Sequence, residues 1–341
     1  MNFTEILKQY KKIAIIGTSK NAGKTVTLNE LINIADNNSI RLGITSIGRD
    51  GERKDIVTDT EKPPIYVKKG TFLATAEGCL VKSTASFEII DVTNLHTAMG
   101  RIVVCEIMDE GYVEIAGPDS STEIKKVSDF MLELGADTVL IDGALNRKTQ
   151  ASPAVADAAI LATGAVVSRS MDMVIERTKH TVKMLTLPQV EKDILALCEE
   201  AATSSQVAFI DKDKNIINTS YKTVLGIADD IICQVKEDYE FIVIPGTLMG
   251  SFLRGMQQLV RYKKIKIVVK DGTKIFVEPM DYKIFERNGG EIYVMEPINL
   301  MAVTVNPYSP DGYFFEPELF LKAMKDELYP IDVYDCMQGG F

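Results

Sequence analysis

"KKIAIIGTSKNAGKT", residues 11–25, decides the fold. Ile13 to Gly17 is an apolar run of strand length, the residues after it are small, polar and bounded by glycine, and a helical pattern opens near Lys24. In that pattern Leu28, Leu31, Ile32 and Ala35 fall at i, i+3, i+4 and i+7, so one apolar stripe faces the sheet that carries the strand. A strand that turns through a glycine-rich loop into a helix aims several backbone N–H groups at one spot, and the helix dipole adds positive potential there. A polyphosphate is the expected occupant. Lys24 would reach the terminal phosphates and the Thr25 hydroxyl would hold Mg²⁺, while Gly17, Thr18, Ser19, Lys20, Asn21, Ala22, Gly23 and Val26 complete the binding loop. The alternative is a turn that merely caps a helix; the strand before, the helix after and the complete Gly-Lys-Thr favour nucleotide binding.

Working outward, apolar runs of strand length alternate with stretches of helical period, as βα units around a largely parallel sheet require. "IRLGITSIG", "RIVVCEIM", "YVEIA", "DTVLIDG" and "AAILATGAVV" read as strands. Helices are expected around Ile124, Val127, Met131 and Leu134, and over "MVIERTKHTVKMLTL". From Asp50 to about Gly78 the polar chain with Pro63 and Pro64 reads as a long connection, a flap. The fold expected is α/β: a P-loop NTPase-type, largely parallel sheet with helices on both faces over residues 1–190, then a second α/β region over 201–341 as partner or substrate domain. That second region offers the strands "QVAFI", "YEFIVIPG", "KIKIVV", "EIYVME" and "IDVYD", with helices near 224–237, 247–261 and 316–327. Pattern alone leaves open whether it forms its own sheet or extends the first.

Composition narrows the function. The chain has 341 residues, 46% of them hydrophobic, which suffices for substantial cores. A net charge of -10 argues against a partner made of phosphodiesters, so no nucleic acid is expected. No apolar stretch has transmembrane length, the N-terminal "MNFTEILKQYKK" reads as an amphipathic helix and not as a signal, and a cytoplasmic location is expected. The five cysteines are scattered without a C-x-x-C pair, and two histidines, His96 and His180, lie far apart, so neither a zinc site nor a Ser-His-Asp triad is indicated.

A second carboxylate normally stands at the tip of a neighbouring strand to order the metal or its water shell. Asp142, ending "DTVLIDG", suits that role and joins Lys24 as the expected catalytic pair; a turn aspartate before glycine is the alternative. In "GRDGERKD", Asp50 is the switch candidate for the metal because it lies closest to the strand end, with Asp55 and a plain solvated loop as alternatives and Arg49 as a phosphate or carboxylate contact. Gly246 and Thr247 form a weaker, second anion candidate, against an ordinary strand-to-helix turn.

Five residues stand between Gly17 and the Gly23-Lys24-Thr25 tripeptide where the usual loop has four. This "GTxxxxGKT" form resembles the loop of dethiobiotin synthetase and of the cobyrinate and cobyric acid amidotransferases. Related ATPases that close as dimers place a lysine five positions before the loop lysine; here Ser19 stands there and Lys20 one step later, so a dimer sandwich is not implied, though a homo-oligomer stays open. "IAIIGTSKNAGKTVTLNELI", "GITSIGRDGE", "KKGTFLATAE", "VEIAGPDS", "GADTVLIDGALNR" and "DAAILATGA" together resemble the non-MutS-like subunit of lysine 5,6-aminomutase reactivases, over residues 10–170. That resemblance implies ATP with Mg²⁺, a MutS-like reactivase subunit as partner, and a cobalamin- and pyridoxal-phosphate-dependent aminomutase of lysine fermentation as client. The rival is a ligase resembling dethiobiotin synthetase, acting on a small carboxylic or amino acid, with Lys20 or Lys54 near the γ-phosphate. Amidotransfer lacks a nucleophile setting, since "GCL" at 78–80 falls in the flap. The guanine-reading run Asn-Lys-x-Asp is absent after a strand, which favours ATP over GTP.

Overall fold

The computed structural model of the chain describes residues 2–47, 64–143 and 151–337. Their contacts divide it into two compact units, Met1–Lys179 with Asn299–Phe341, and His180–Ile298.

The first unit opens with α1 (Phe3–Gln9), whose start is fixed by a reciprocal cap: Asn2 Oδ1 accepts from Glu5 N at 2.9 Å and Glu5 Oε2 from Asn2 N at 3.0 Å. The chain continues through β1 (Lys12–Gly17), α2 (Lys24–Asn37), β2 (Leu42–Ser46), β3 (Ile65–Val67), β4 (Phe72–Ala76), α3 (Glu77–Leu80), β5 (Ser86–Thr97), β6 (Gly100–Asp109), β7 (Gly111–Val113), α4 (Ser121–Glu133), β8 (Thr138–Asp142), β9 (Ala158–Gly164) and α5 (Met171–Leu185). The second unit contains α6 (Lys192–Thr203), β10 (Ala208–Asp211), β11 (Ile216–Asn218), α7 (Ala228–Gln234), β12 (Tyr239–Ile244), β13 (Leu248–Met249), α8 (Gly250–Met256), α9 (Leu259–Tyr262), β14 (Lys266–Val269), β15 (Ile275–Phe276), α10 (Pro279–Arg287) and β16 (Glu291–Val294). The chain then returns to the first unit with β17 (Leu300–Asn306), α11 (Pro317–Leu328) and β18 (Asp332–Asp335).

The main sheet of the first unit runs β18-β17-β9-β1-β8-β2-β4-β6-β5. It is parallel from β18 to β4 and antiparallel only where β6 joins β4 and β5 joins β6. Side-chain alternation gives it two buried faces. On one, Ile13, Ile15, Ile44, Leu140, Ile160 and Ala302 meet Leu28, Leu31, Ile32 and Ala35 of α2, the stripe the sequence pattern predicts. On the other, Met131 of α4 and Val139 of β8 both stand against Gly43, where a Cβ would meet Val139 Cγ2 at 3.0 Å and Met131 Cβ at 3.2 Å. Each buried leucine of α2 contributes about 1.5–3 kcal/mol by leaving water.

The second unit has its own five-stranded sheet, β11-β10-β12-β14-β16, with β12, β14 and β16 parallel and β10 antiparallel to both neighbours. Ile242, Ile244, Ile267 and Val269 pack with Phe252, Met256 and Phe285, while Phe241, Val243 and Val268 pack with Ile194 and Cys198 of α6.

Two expectations are corrected. The domain division at 190/201 is displaced: residues 180–298 build a sheet of their own, and 299–341 extend the first, so "IDVYD" and the helix at 317–328 belong to the first unit. The physical reason is β17, whose "LMAVTVN" pairs in parallel with β9 and leaves an edge for β18. The flap from Asp50 to Gly78 ends earlier than its polarity suggests, because Ile65–Val67 and Phe72–Ala76 form strands and all five residues of the latter are buried. "SFEIIDVTNLHT", for which the sequence pattern offers no element, is the long edge strand β5.

Candidate functional site

The carboxyl ends of the parallel strands form one edge, and β1 is its pivot. From β1 the chain moves past β8 to reach β2, whereas from β8 it crosses β1 to β9 on the other side. Such a reversal opens a crevice outside the strand ends, the usual ligand position in open α/β sheets. Residues 17–25 leave β1 at that reversal.

The loop is curled by two left-handed residues, Asn21 at φ 59° and Gly23 at φ 101°. Asparagine tolerates that region and glycine enters it without a Cβ penalty; successive turns of this kind make a concave row of amides suited to anions. Gly23 is also the N-cap of α2 and no side chain caps the helix there, which leaves its first N–H groups to the crevice. The Lys24 side chain turns back over the loop, so a Cβ on Gly17 would stand 3.0 Å from both Lys24 Cγ and Lys24 Cδ. Gly17 is therefore the floor beneath Lys24. Ala22 is buried, and Thr18, Ser19, Lys20, Asn21, Thr25 and Val26 are half-buried around it.

Thr18 ties the loop to β9. Its N–H donates to Ala162 O at 2.9 Å and its hydroxyl to Thr163 Oγ1 at 3.0 Å, and Thr163 and Thr178 share a further hydrogen bond of 2.9 Å.

Asp142 ends β8 beside β1, in register with Ile15 on one side and Ser46 on the other, and is only 5% exposed. Alternation puts its side chain on the face of Leu140, which is the face covered by α2. The register thus brings Asp142 to the edge and face from which α2 starts with Lys24 and Thr25. Ser46, next in the row, is engaged elsewhere: its hydroxyl donates to Ile115 O at 3.3 Å and accepts from Gly117 N at 3.1 Å. Asp50, Asp55, Arg49 and Lys54 lie outside the described residues, as does the "ALNR" that follows Gly143.

Two residues that sequence reading placed in the distant second region stand against the loop. A Cβ on Gly23 would meet Cys336 Sγ at 3.0 Å and Asn306 Cβ at 3.2 Å. They arrive at the ends of β18 and β17, and the signal that would have found them is the apolar run 300–305 ending in Asn-Pro. Burial pushes the Cys336 thiol up to about 12, with the Asp335 carboxylate adding to the rise, so it stays protonated at neutral pH. A buried hydroxyl pair, Thr27 and Thr304 at 2.8 Å, joins the first turns of α2 to β17.

The other candidates fare differently. Gly246 and Thr247 precede α8, but the Asp281 carboxylate lies 2.5 Å from where a Gly250 Cβ would stand and pairs with Arg254, so that helix start already faces a negative group. Cys79 of "GCL" is fully buried in α3, with its sulfur 3.8 Å from that of Met99. His96 and His180 fall in different units, their rings bonded to the carbonyls of Asn94 and Val277. Among the described residues no group of three His, Cys, Asp or Glu side chains is arranged to hold a metal, and no helix is long and apolar enough to cross a membrane.

Comparison with known proteins adds no relative: no family model matches the chain, no curated protein is similar to it, and no solved structure matches it.

Proposed function

We propose that residues 17–25 bind a Mg-nucleotide, ATP by preference, in a P-loop NTPase fold, and that the protein is an accessory ATPase subunit reactivating a cobalamin- and pyridoxal-phosphate-dependent lysine 5,6-aminomutase. One observation supports the nucleotide reading above the rest: Lys24 folds back over Gly17 at the mouth of an uncapped helix, on the edge and face where Asp142 ends its strand. The residues suit the group. Glycine at 17 leaves the lysine stem room to lie across the loop, the left-handed pair Asn21 and Gly23 turns amides inward, and the α2 dipole favours negative charge at its start.

In this reading Gly17 to Val26 cradle the phosphates, Lys24 supplies a fixed positive charge to them, and Thr25 and Asp142 hold Mg²⁺ or its water shell, with Asp50 as a further metal partner. When bound, Mg²⁺ draws charge from the phosphate oxygens. The buried setting of Asp142 keeps its carboxylate from swinging into bulk water, and the loop's anchoring at Thr18 keeps the amides in place.

The reactivase half of the proposal rests on the resemblance of the segments between residues 10 and 170. Nucleotide state would bias a two-state element whose forms differ in affinity for the mutase, and that difference would let a spent cofactor leave. The test is ATP hydrolysis by the whole protein in three settings: alone, with a MutS-like partner and inactivated aminomutase, and with small carboxylic or amino acids. Protein-dependent stimulation with recovered mutase activity is expected. Stimulation by the small acids alone would replace this reading with the ligase.

A further inference from the structure

We infer that Thr163 and Thr178 are positioning residues for the 17–25 loop, and that through them helix α5 responds to what the loop holds. The inference rests on the nucleotide reading above. It starts from a residue out of keeping with its surroundings: Thr178 is 0% exposed on the inward stripe of α5, with buried Val174 and Val182 one turn to either side. Valine would fill that place equally well, so packing does not explain a hydroxyl there. Its partner explains it. Thr178 Oγ1 lies 2.9 Å from Thr163 Oγ1, itself 0% exposed at the end of β9, and Thr163 accepts from the Thr18 hydroxyl at 3.0 Å.

The three hydroxyls make a line from the first residue of the loop, through a strand end, to the middle of a helix. A buried hydroxyl without a partner is costly, so a shift of Thr18 is felt by Thr163 and then by Thr178. Filling the loop with phosphates fixes the Thr18 backbone and so tightens the line; by reciprocity, whatever steadies α5 raises affinity in the loop.

The experiment uses the full chain and Mg-ATP: calorimetric affinity, and amide exchange across 171–185 with and without nucleotide, for the unaltered protein, Thr178→Val and Thr178→Ser. Expected are slower exchange on nucleotide addition in the unaltered protein and in Thr178→Ser, loss of that response in Thr178→Val, and at least about fivefold weaker binding by the valine variant. Equal affinity and equal exchange response in Thr178→Val would overturn the inference, as would a serine variant as impaired as the valine one, since packing would then account for the effect. Should Thr178→Val not fold, Thr178→Ala gives up the hydroxyl in a better helix former and carries the same comparison. No heat with the unaltered chain removes the nucleotide reading itself; heat without any change in α5 removes only this inference.

Discussion

The two glycines of the loop are alike in sequence and unlike in physics. At Gly23 both φ of 101° and the nearby Cys336 and Asn306 oppose a side chain, so Gly23→Ala should cost about 1–2 kcal/mol of stability from the left-handed backbone alone, read by urea denaturation. At Gly17 a new Cβ would meet only the flexible stem of Lys24 at the 3.0 Å contacts and a carbonyl at 3.3 Å, so Gly17→Ala should fold and instead displace the lysine. Lys24→Ala should leave stability nearly unchanged and, by removing one charge-assisted contact worth about 1.5–3 kcal/mol, weaken Mg-ATP binding about 10- to 100-fold by calorimetry. The turn ending at Gly23 and the helix start at Lys24 were legible because they follow one another in a contiguous strand–loop–helix pattern. Cys336 and Asn306 were not, since nothing local couples them to a loop made some 300 residues earlier. The thiols carry a pH prediction. Cys105 and Cys198 are pushed up to about 12 by burial, above the unfolded value near 8.5, so their stabilising effect is full below pH 8.5 and fades as pH climbs towards 12. At pH 10 each should account for about 1–2 kcal/mol of lost stability, and Cys198→Ala should flatten the fall between pH 8 and 10 in urea titrations.

At the scale of elements, α2 and β17 show how a strand missed by pattern reading is held. Thr27 and Thr304 bond each other inside the core, so Thr304→Val alone should cost about 1–3 kcal/mol by stranding the Thr27 hydroxyl, while the double valine variant should recover most of it; urea unfolding of the four proteins closes the cycle. β1, β8 and β9 were legible because each is a nearly continuous apolar run, and α4 because it keeps its stripe. β5 was illegible for the opposite reason: it lies at the sheet edge, has no fully buried residue, and its ladder with β6 shifts register three times, so no period of two survives in its sequence. Those irregularities also blunt an edge that would otherwise template pairing with another chain.

For the whole molecule, the division into units would make a nucleotide held at residues 17–25, as proposed, a selective stabiliser. Mg-ATP at a hundredfold excess over its dissociation constant should add about 2.7 kcal/mol to the unit that contains residues 17–25, and amide exchange should show this in β1, β8 and β9 before it shows in β12 and β14. Seeing protection in the second unit alone would place the ligand there instead. The unit boundaries escaped sequence reading because both units are α/β and the chain leaves the first sheet unfinished without any change of composition. That unfinished sheet has a consequence during synthesis. The ribosome delivers residues 17–25 before their far wall, Asn306 and Cys336, with the entire inserted unit emerging in between. A nascent chain stalled before β17 would expose the open flank of β9 to the cell, and residues 17–25 would lack that wall until β17 and β18 had paired.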